Sequence, residues 1–309
     1  VLCSTQVDIL SLLLSIMAGE QALRRSGRMA TSRLLVSDYS PAGGVGHKVS
    51  VDCMNVKPGV EVAGLSDVGC QRENNEDSYL YWEPAGDEEF RRKGRLAVIA
   101  DGMGGHEGGL EASRLAVETV REVYDHGFRD DPQAALLESF AAAHSRIQDY
   151  AERHPAFHGM GTTCTALVLR GRQLYFAHVG DSRLYLVRGA SISKLTRDHS
   201  YVGRLVESGL VRAEDAEKHP QRHILTAALG AGMEIGVDGA EEEGLALQGG
   251  DDLLLCTDGL WGVVTEDEIE TAVTSHTPAE CCAALVKLAR QRGAPDNVTL
   301  QVLHIGQEV

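Results

Sequence analysis

Val98-Ile99-Ala100-Asp101-Gly102-Met103-Gly104-Gly105-His106 closes an apolar run, Leu96 to Ala100, abruptly on an acid. Glycines follow, and a helical pattern opens behind them. A buried strand would in this way carry one carboxylate to its tip and leave the backbone free to crowd something there. A carboxylate beside a bare glycine carbonyl is half of a site for a hard cation, which prefers oxygen ligands. Asp at a strand end is also a common turn former or helix cap. The metal reading therefore depends on other acids arriving in the same way.

Several do. Gly250-Asp251-Asp252-Leu253-Leu254-Leu255-Cys256-Thr257-Asp258-Gly259 repeats the pattern of apolar strand, Asp and Gly. Gly180-Asp181-Ser182-Arg183 reads as a tight turn between strands 173–179 and 184–187, which sets Asp181 at another tip. Pro295-Asp296-Asn297 leads into a last strand, 298–305. Near the start, residues 60–65 read as a strand. A polar loop with Arg72, Glu76 and Asp77 then enters an aromatic strand, 79–82. Five such acids in one core (Glu76 or Asp77, Asp101, Asp181, Asp258 and Asp296) would repel one another at neutral pH. A shared pair of divalent cations resolves that, which is the logic of two-metal hydrolysis. Hard oxygen ligands without a His or Cys cluster favour magnesium or manganese over zinc.

The rest of the chain fits a globular frame. Its 309 residues, 43% of them hydrophobic, allow a sizeable core. A formal charge of −16 argues against a nonspecific nucleic-acid or anionic-membrane binder. The seven cysteines include no CxxC and read as reduced thiols of a cytoplasmic protein. Leu110, Val117, Val120 and Tyr124 predict one amphipathic helix. Asp131-Pro132 predicts the start of another, with Leu136, Phe140, Ala143, Ile147 and Tyr150 on its apolar side. Residues 159–169 read as a strand, turning at Gly171-Arg172. Residues 196–230 break the strand pattern, hold a helix over 199–210 and read as a flap near a site. Capping boxes at Thr265/Glu268 and Thr277/Glu280 open two more helices. Residues 1–58 read as a leader, with a linker over 37–46 and a strand over 49–56. The apolar run 9–17 is too short to span a bilayer. The catalytic domain is expected to be 59–309.

These motifs resemble the metal-dependent protein Ser/Thr phosphatases of the type 2C class, in their bacterial form. The matched residues, in order, are Arg72 with Asn75-Glu76-Asp77, Asp101-Gly102-Met103-Gly104-Gly105, Gly161-Thr162-Thr163, Gly180-Asp181-Ser182-Arg183, Asp258-Gly259 and Asp296-Asn297-Val298-Thr299. Each alone is commonplace; six in the right order are specific. The resemblance implies an α+β fold, a four-layer α-β-β-α sandwich of two antiparallel sheets flanked by helices. It implies a metal pair bridged by Asp101, with the Gly102 carbonyl, Asp258 and Asp296 as ligands. Glu76 and Asp77 complete the shell directly or through water. Asp181, with Asp258, matches a third, weaker site. Arg72 is expected to hold the substrate phosphate bidentately, which suits a guanidinium.

The activity so implied is hydrolysis of phosphoserine and phosphothreonine by direct attack of a water bridging two magnesium or manganese ions. Three candidates stand for the acid that protonates the leaving group: a metal-bound water, His106 and His223. Animal relatives carry a His where this chain has Met103. Expected partners are phosphorylated proteins and a Hanks-type Ser/Thr kinase, and the protein is expected to be a monomer with no membrane span. The competing reading is a catalytically weak phosphoprotein-binding module of the same fold.

Overall fold

Apolar runs too continuous for a one-faced strand need cover on both sides. The computed structural model, which describes residues 32–36, 49–53, 56–104, 107–127, 130–212, 215, 219–233, 235–241 and 243–307, supplies that cover with two sheets packed face to face between layers of helix. One sheet takes its strands in the order β1 (Ser32–Val36), β2 (Val49–Cys53), β3 (Val60–Asp67), β15 (Val298–Ile305), β14 (Asp252–Cys256), β9 (Arg183–Val187) and β10 (Ile192–Lys194). The other runs β11 (Leu229–Gly230), β6 (Gly161–Thr162), β5 (Arg95–Met103), β7 (Cys164–Arg170), β8 (Gln173–Val179) and β12 (Asp238–Gly239). In addition, β4 (Asp77–Trp82) pairs with β5 and β13 (Leu245–Ala246) with β8. The pairings are antiparallel throughout.

The side-chain alternation of β5 shows why the run had to be apolar on both faces. Leu96, Val98 and Ala100 pack with the helices α2 (Gly108–Gly127) and α3 (Pro132–Arg153), while Ala97 and Ile99 face the opposite sheet. β14 does the same: Leu254 and Cys256 meet the outer helices α5 (Asp258–Trp261), α6 (Glu266–Ser275) and α7 (Pro278–Gln291), and Leu253 and Leu255 face inward. Caps set the helix ends. Asp131 accepts from the Ala134 N–H at 3.1 Å with Pro132 in first place, and Glu268 and Glu280 accept from the Thr265 and Thr277 N–H groups at 3.0 and 3.1 Å.

Some expectations change. Leu110 is 44% exposed rather than part of the core stripe. The first turns of α2 bury Gly108, Gly109, Ala112 and Ser113 instead, because small residues let the helix close on β4 and β5. The strand expected over 159–169 breaks at Thr163, whose N–H bonds the Asp101 carbonyl at 2.9 Å. Pairing with β5 therefore divides between β6 and β7. The flap helix α4 covers Tyr201–Glu207 rather than 199–210, capped by Ser200. A charged helix, α1 (Asp87–Lys93), adds to those expected from apolar spacing. Two strands of the N-terminal segment, β1 and β2, extend the sheet beyond β3, and the Tyr79 hydroxyl ties β4 to it by donating to Asp52 at 2.6 Å. The run 9–17 and the linker 37–46 lie outside the described residues, and among those described no helix is long and apolar enough to cross a membrane.

Leu255 is fully buried between the sheets, on the strand that leads to Asp258. Leu255→Ala is expected to cost on the order of 2–5 kcal/mol in urea unfolding, whereas Leu137→Ala, at an exposed position, should stay within about 0.5 kcal/mol.

Candidate metal centre

Register brings the acids together. Asp77 on β4 stands directly opposite Asp101 on β5, so the two side chains share the face that Ile99 and Ala97 turn toward the other sheet. Like charges placed directly opposite one another destabilise a strand pair. The other sheet contributes Asp258, the first residue of α5 just past β14, and Asp296, just before β15. Asp181 lies in the turn where the chain crosses from β8 in one sheet to β9 in the other. A cleft of about 810 Å³ at this end is lined by Arg72, Glu76, Asp101, Asp181, Asp258 and Asp296, with the backbone of Gly102. Asp77 is buried.

The electrostatics follow from that crowding. Burial, reinforced by the charges of Asp258 and Asp296, pushes the Asp77 carboxyl up to about 7 against hydrogen bonds from Thr299 and Thr257. Asp101 is raised well above the usual carboxylate range by burial and then by Asp77, Asp258, Asp181 and Asp296. Asp181 is raised by burial, then by Asp258 and Asp198. One oxygen each of Asp77 and Asp258, Oδ1 in both, is buried without a hydrogen-bond partner. An orphaned buried oxygen is costly, and a hard divalent cation is the ligand that satisfies several of them at once. The donors border an open cleft: among the described residues, no three His, Cys, Asp or Glu side chains are gathered into a formed metal cage. Two nitrogen groups lean on the acids instead. Arg72 Nη2 is 2.7 Å from Asp296 Oδ2, and His223 Nδ1 is 3.5 Å from Asp258 Oδ2.

Hydrogen bonds to neighbouring polar groups hold the acids in place. The Asp101 carbonyl accepts from Thr162 Oγ1 at 2.8 Å, and the Asp101 N–H donates to Thr163 Oγ1 at 3.0 Å. Thr163 Oγ1 in turn meets Ser182 Oγ at 2.8 Å, linking the Asp101 strand to the Asp181 turn. Trp261 Nε1 donates to the Asp181 carbonyl at 3.0 Å, and Thr257 Oγ1 donates to Asp77 Oδ2 at 2.9 Å. Asn297 pins the Arg72–Glu76 loop. Its Oδ1 accepts from the Glu76 N–H, and its Nδ2 donates to the carbonyls of Val68 and Asn74, each at 2.9 Å. Gly102 and Gly259 sit where backbones touch: a Cβ on Gly102 would collide with the Gly109 carbonyl, and one on Gly259 with that of Asn297. Sequence reading assigned Thr163, Ser182, Thr257 and Asn297 no role of their own. For Ser182, Thr257 and Asn297 the available signal was a polar residue beside a strand-tip acid; Thr163 has no acid next to it in the sequence. Of the two histidines considered as acids, His223 lines the cleft, and His106 lies outside the described residues.

The protein phosphatase 2C profile matches residues 73–293. The chain belongs to the protein phosphatase 2C family. The matched segment stops short of Arg72 and Asp296, which the fold nevertheless brings to the same cleft. Serine/threonine protein phosphatase PstP of Mycobacterium tuberculosis is 38% identical over 243 residues, covering 79% of this chain and 44% of PstP. The chain thus spans less than half the length of that relative. Protein phosphatase PhpP of Streptococcus pneumoniae is 35% identical over 266 residues, covering 81% of this chain and 99% of PhpP. The catalytic domain of PstP, solved in complex with two manganese ions, superposes with a TM-score of 0.68 at 34% identity, covering 80% of this chain and 99% of that one.

A carboxyl whose folded-state pKa is raised supports folding while it stays protonated, and loses that support as pH climbs through the folded value. For Asp77 the window runs from its ordinary 3.8 to about 7. In EDTA, Asp77→Asn, which cannot ionise, should gain Tm relative to the unaltered protein as pH rises from about 5 to about 8. A Tm difference that does not change with pH would contradict this electrostatic account.

Proposed function

We propose that the chain is a metal-dependent protein Ser/Thr phosphatase that hydrolyses phosphoserine and phosphothreonine at a binuclear magnesium or manganese site. The convergence of Asp101, Asp181, Asp258 and Asp296 from two sheets on one cleft, with orphaned oxygens on Asp77 and Asp258, carries the reading. The family's named phosphatases support it. Asp101, Asp258, Asp296 and the Gly102 carbonyl would hold the pair, with Glu76 and Asp77 completing the shell. Asp181 with Asp258 would hold a third, weaker ion. Bound there, two divalent cations lower the pKa of a shared water and offset charge on the phosphoryl group.

The chain's own residues do the rest. Arg72 carries a half-exposed guanidinium at the cleft wall, paired with Asp296. Turning from that single carboxylate contact to the phosphoryl oxygens would let the planar guanidinium bind them bidentately. His223, in the cleft beside Asp258, is a candidate, with a metal-bound water, for protonating the departing Ser or Thr oxygen. Asn297 and Thr163 hold the loop and strand that present these groups, so that little reorganisation is needed during reaction. The catalytic unit is residues 59–309. Its substrates are phosphorylated proteins, among them those of a Hanks-type kinase, and it works as a cytoplasmic monomer.

Hydrolysis of a phosphothreonine peptide and of p-nitrophenyl phosphate should require manganese or magnesium and cease in EDTA. Asp258→Asn should lower turnover on the order of a hundredfold or more and weaken manganese binding in calorimetry. A folded protein that turns over neither substrate with any metal would instead support the binding-module reading.

A further inference from the structure

Arg222 lines two cavities. One is the catalytic cleft. The other, about 470 Å³, opens between α4, the β9–β10 hairpin and the start of α6, with Val202, Val206 and Trp261 on its apolar side. Most charges around this second cavity are satisfied internally. Arg183 donates twice to Asp198, at 3.1 and 2.7 Å, and stacks 3.7 Å over the Trp261 ring. Lys194 reaches the same Asp198 at 3.1 Å, and Arg197 is engaged by Asp238 and Glu207. In the cleft, Arg72 is engaged by Asp296. Arg222 differs: it is half-buried, and its guanidinium has no acidic partner among the described residues.

The rim beside it is apolar. Tyr201 and Ile224 are 42% and 49% exposed, and the Tyr201 N–H bonds the Ile224 carbonyl at 2.7 Å, so the two stand side by side. Leu210, on the same flap, is 75% exposed. The other exposed large apolar side chains described are Leu110 and Leu137, on α2 and α3, so the flap carries most of this surface, with Ile224 set between the cleft-lining His223 and Leu225. The chain carries a formal charge of −16, which disfavours an acidic polypeptide at long range. The Arg222 guanidinium, with no acidic partner among the described residues, supplies a local complement at the cleft wall, and its planar donors suit a carboxylate or phosphoryl group.

We infer that the second cavity and this rim form a docking subsite for the substrate polypeptide. The segment that brings the phosphoresidue into the cleft continues past Arg222, sets an anionic side chain against its guanidinium and places an apolar side chain in the cavity at Val206. The occupant is thus a phosphoprotein segment with an acid and an apolar residue flanking the phosphoresidue. The anion is an Asp or Glu carboxylate or a second phosphoryl group. This inference rests on the phosphatase reading.

The test is a phosphothreonine peptide series in which Glu, phosphoserine or Leu is moved across the flanking positions, with neutral Ser as the reference. kcat and KM are measured in manganese for the unaltered protein, Arg222→Ala, Arg222→Lys and Val206→Trp. Preferences are taken as ratios within each protein, so that a general loss of activity cancels. The unaltered protein should favour an anion at one flanking position by about tenfold, mainly in KM. The ratio should fall to near one in Arg222→Ala and be partly kept in Arg222→Lys. Val206→Trp should abolish the preference for Leu and keep that for the anion. A larger gain from phosphoserine than from Glu identifies the second phosphoryl group as the natural anion, and the reverse identifies the carboxylate. Hydrolysis with no flanking preference, or with one that survives Arg222→Ala, overturns the subsite and leaves the phosphatase reading standing. No hydrolysis of any peptide overturns both.

Discussion

Asp77 and Asp101 face each other across adjacent antiparallel strands, and much of the catalytic end is arranged to hold that repulsive pair in place. Left to relax, such a pair would splay or shift register, because nothing in water rewards two carboxylates at this spacing in a dry interior. Threonines prevent it. Thr162 and Thr163 fix the backbone of Asp101 from β6 and the residue after it, and Thr257 donates to Asp77 from the opposite sheet. The apolar layers on either side of β5 supply the stability that offsets the strain. What remains is a set of acids raised toward neutrality and held ready for positive charge.

A two-sheet sandwich suits this chemistry because its open end is where strand tips from both sheets come close without belonging to one element. Asp101 arrives on β5 of one sheet, Asp258 just past β14 and Asp296 just before β15 of the other, and Asp181 on the turn that crosses between them. The Thr163–Ser182 and Trp261–Asp181 contacts tie these arrivals together. Asn297 then locks the Arg72–Glu76 loop over the same end, so the group expected to hold the phosphate is positioned by the residue that follows Asp296 at the entrance of β15. The flap, inserted after β10, adds Arg222 and His223 from a separate segment. A loop segment of this kind can vary in sequence while the strand tips that carry the acids stay fixed.

The strand tips were legible because runs such as Leu96–Ala100 and Leu253–Cys256, apolar without alternation, imply burial on both faces. An acid ending such a run then stands out. Asp77 was harder to place: its strand begins two residues earlier than its aromatic residues suggest, because pairing with Asp101 extends it. Leu110 misled because helical spacing alone cannot show that Gly109, Ala112 and Ser113 make the contact face of α2. α1 offers no apolar period at all. Its sequence DEEFRRK sets acids in the first turn and bases in the last, favouring helix through the macrodipole. The roles of Thr163, Ser182 and Asn297 depend on which strands become neighbours, information that appears only once the sheets are assembled.

Crystals soaked in manganese, with data collected at the metal's absorption edge, test the central claim most directly. The account predicts two strong anomalous peaks in the cleft, bridged by Asp101 and flanked by Asp258, Asp296 and the Gly102 carbonyl, with a weaker third near Asp181. Manganese bound only at surface histidines, with the Asp101–Asp258–Asp296 cleft left without a peak, would contradict it.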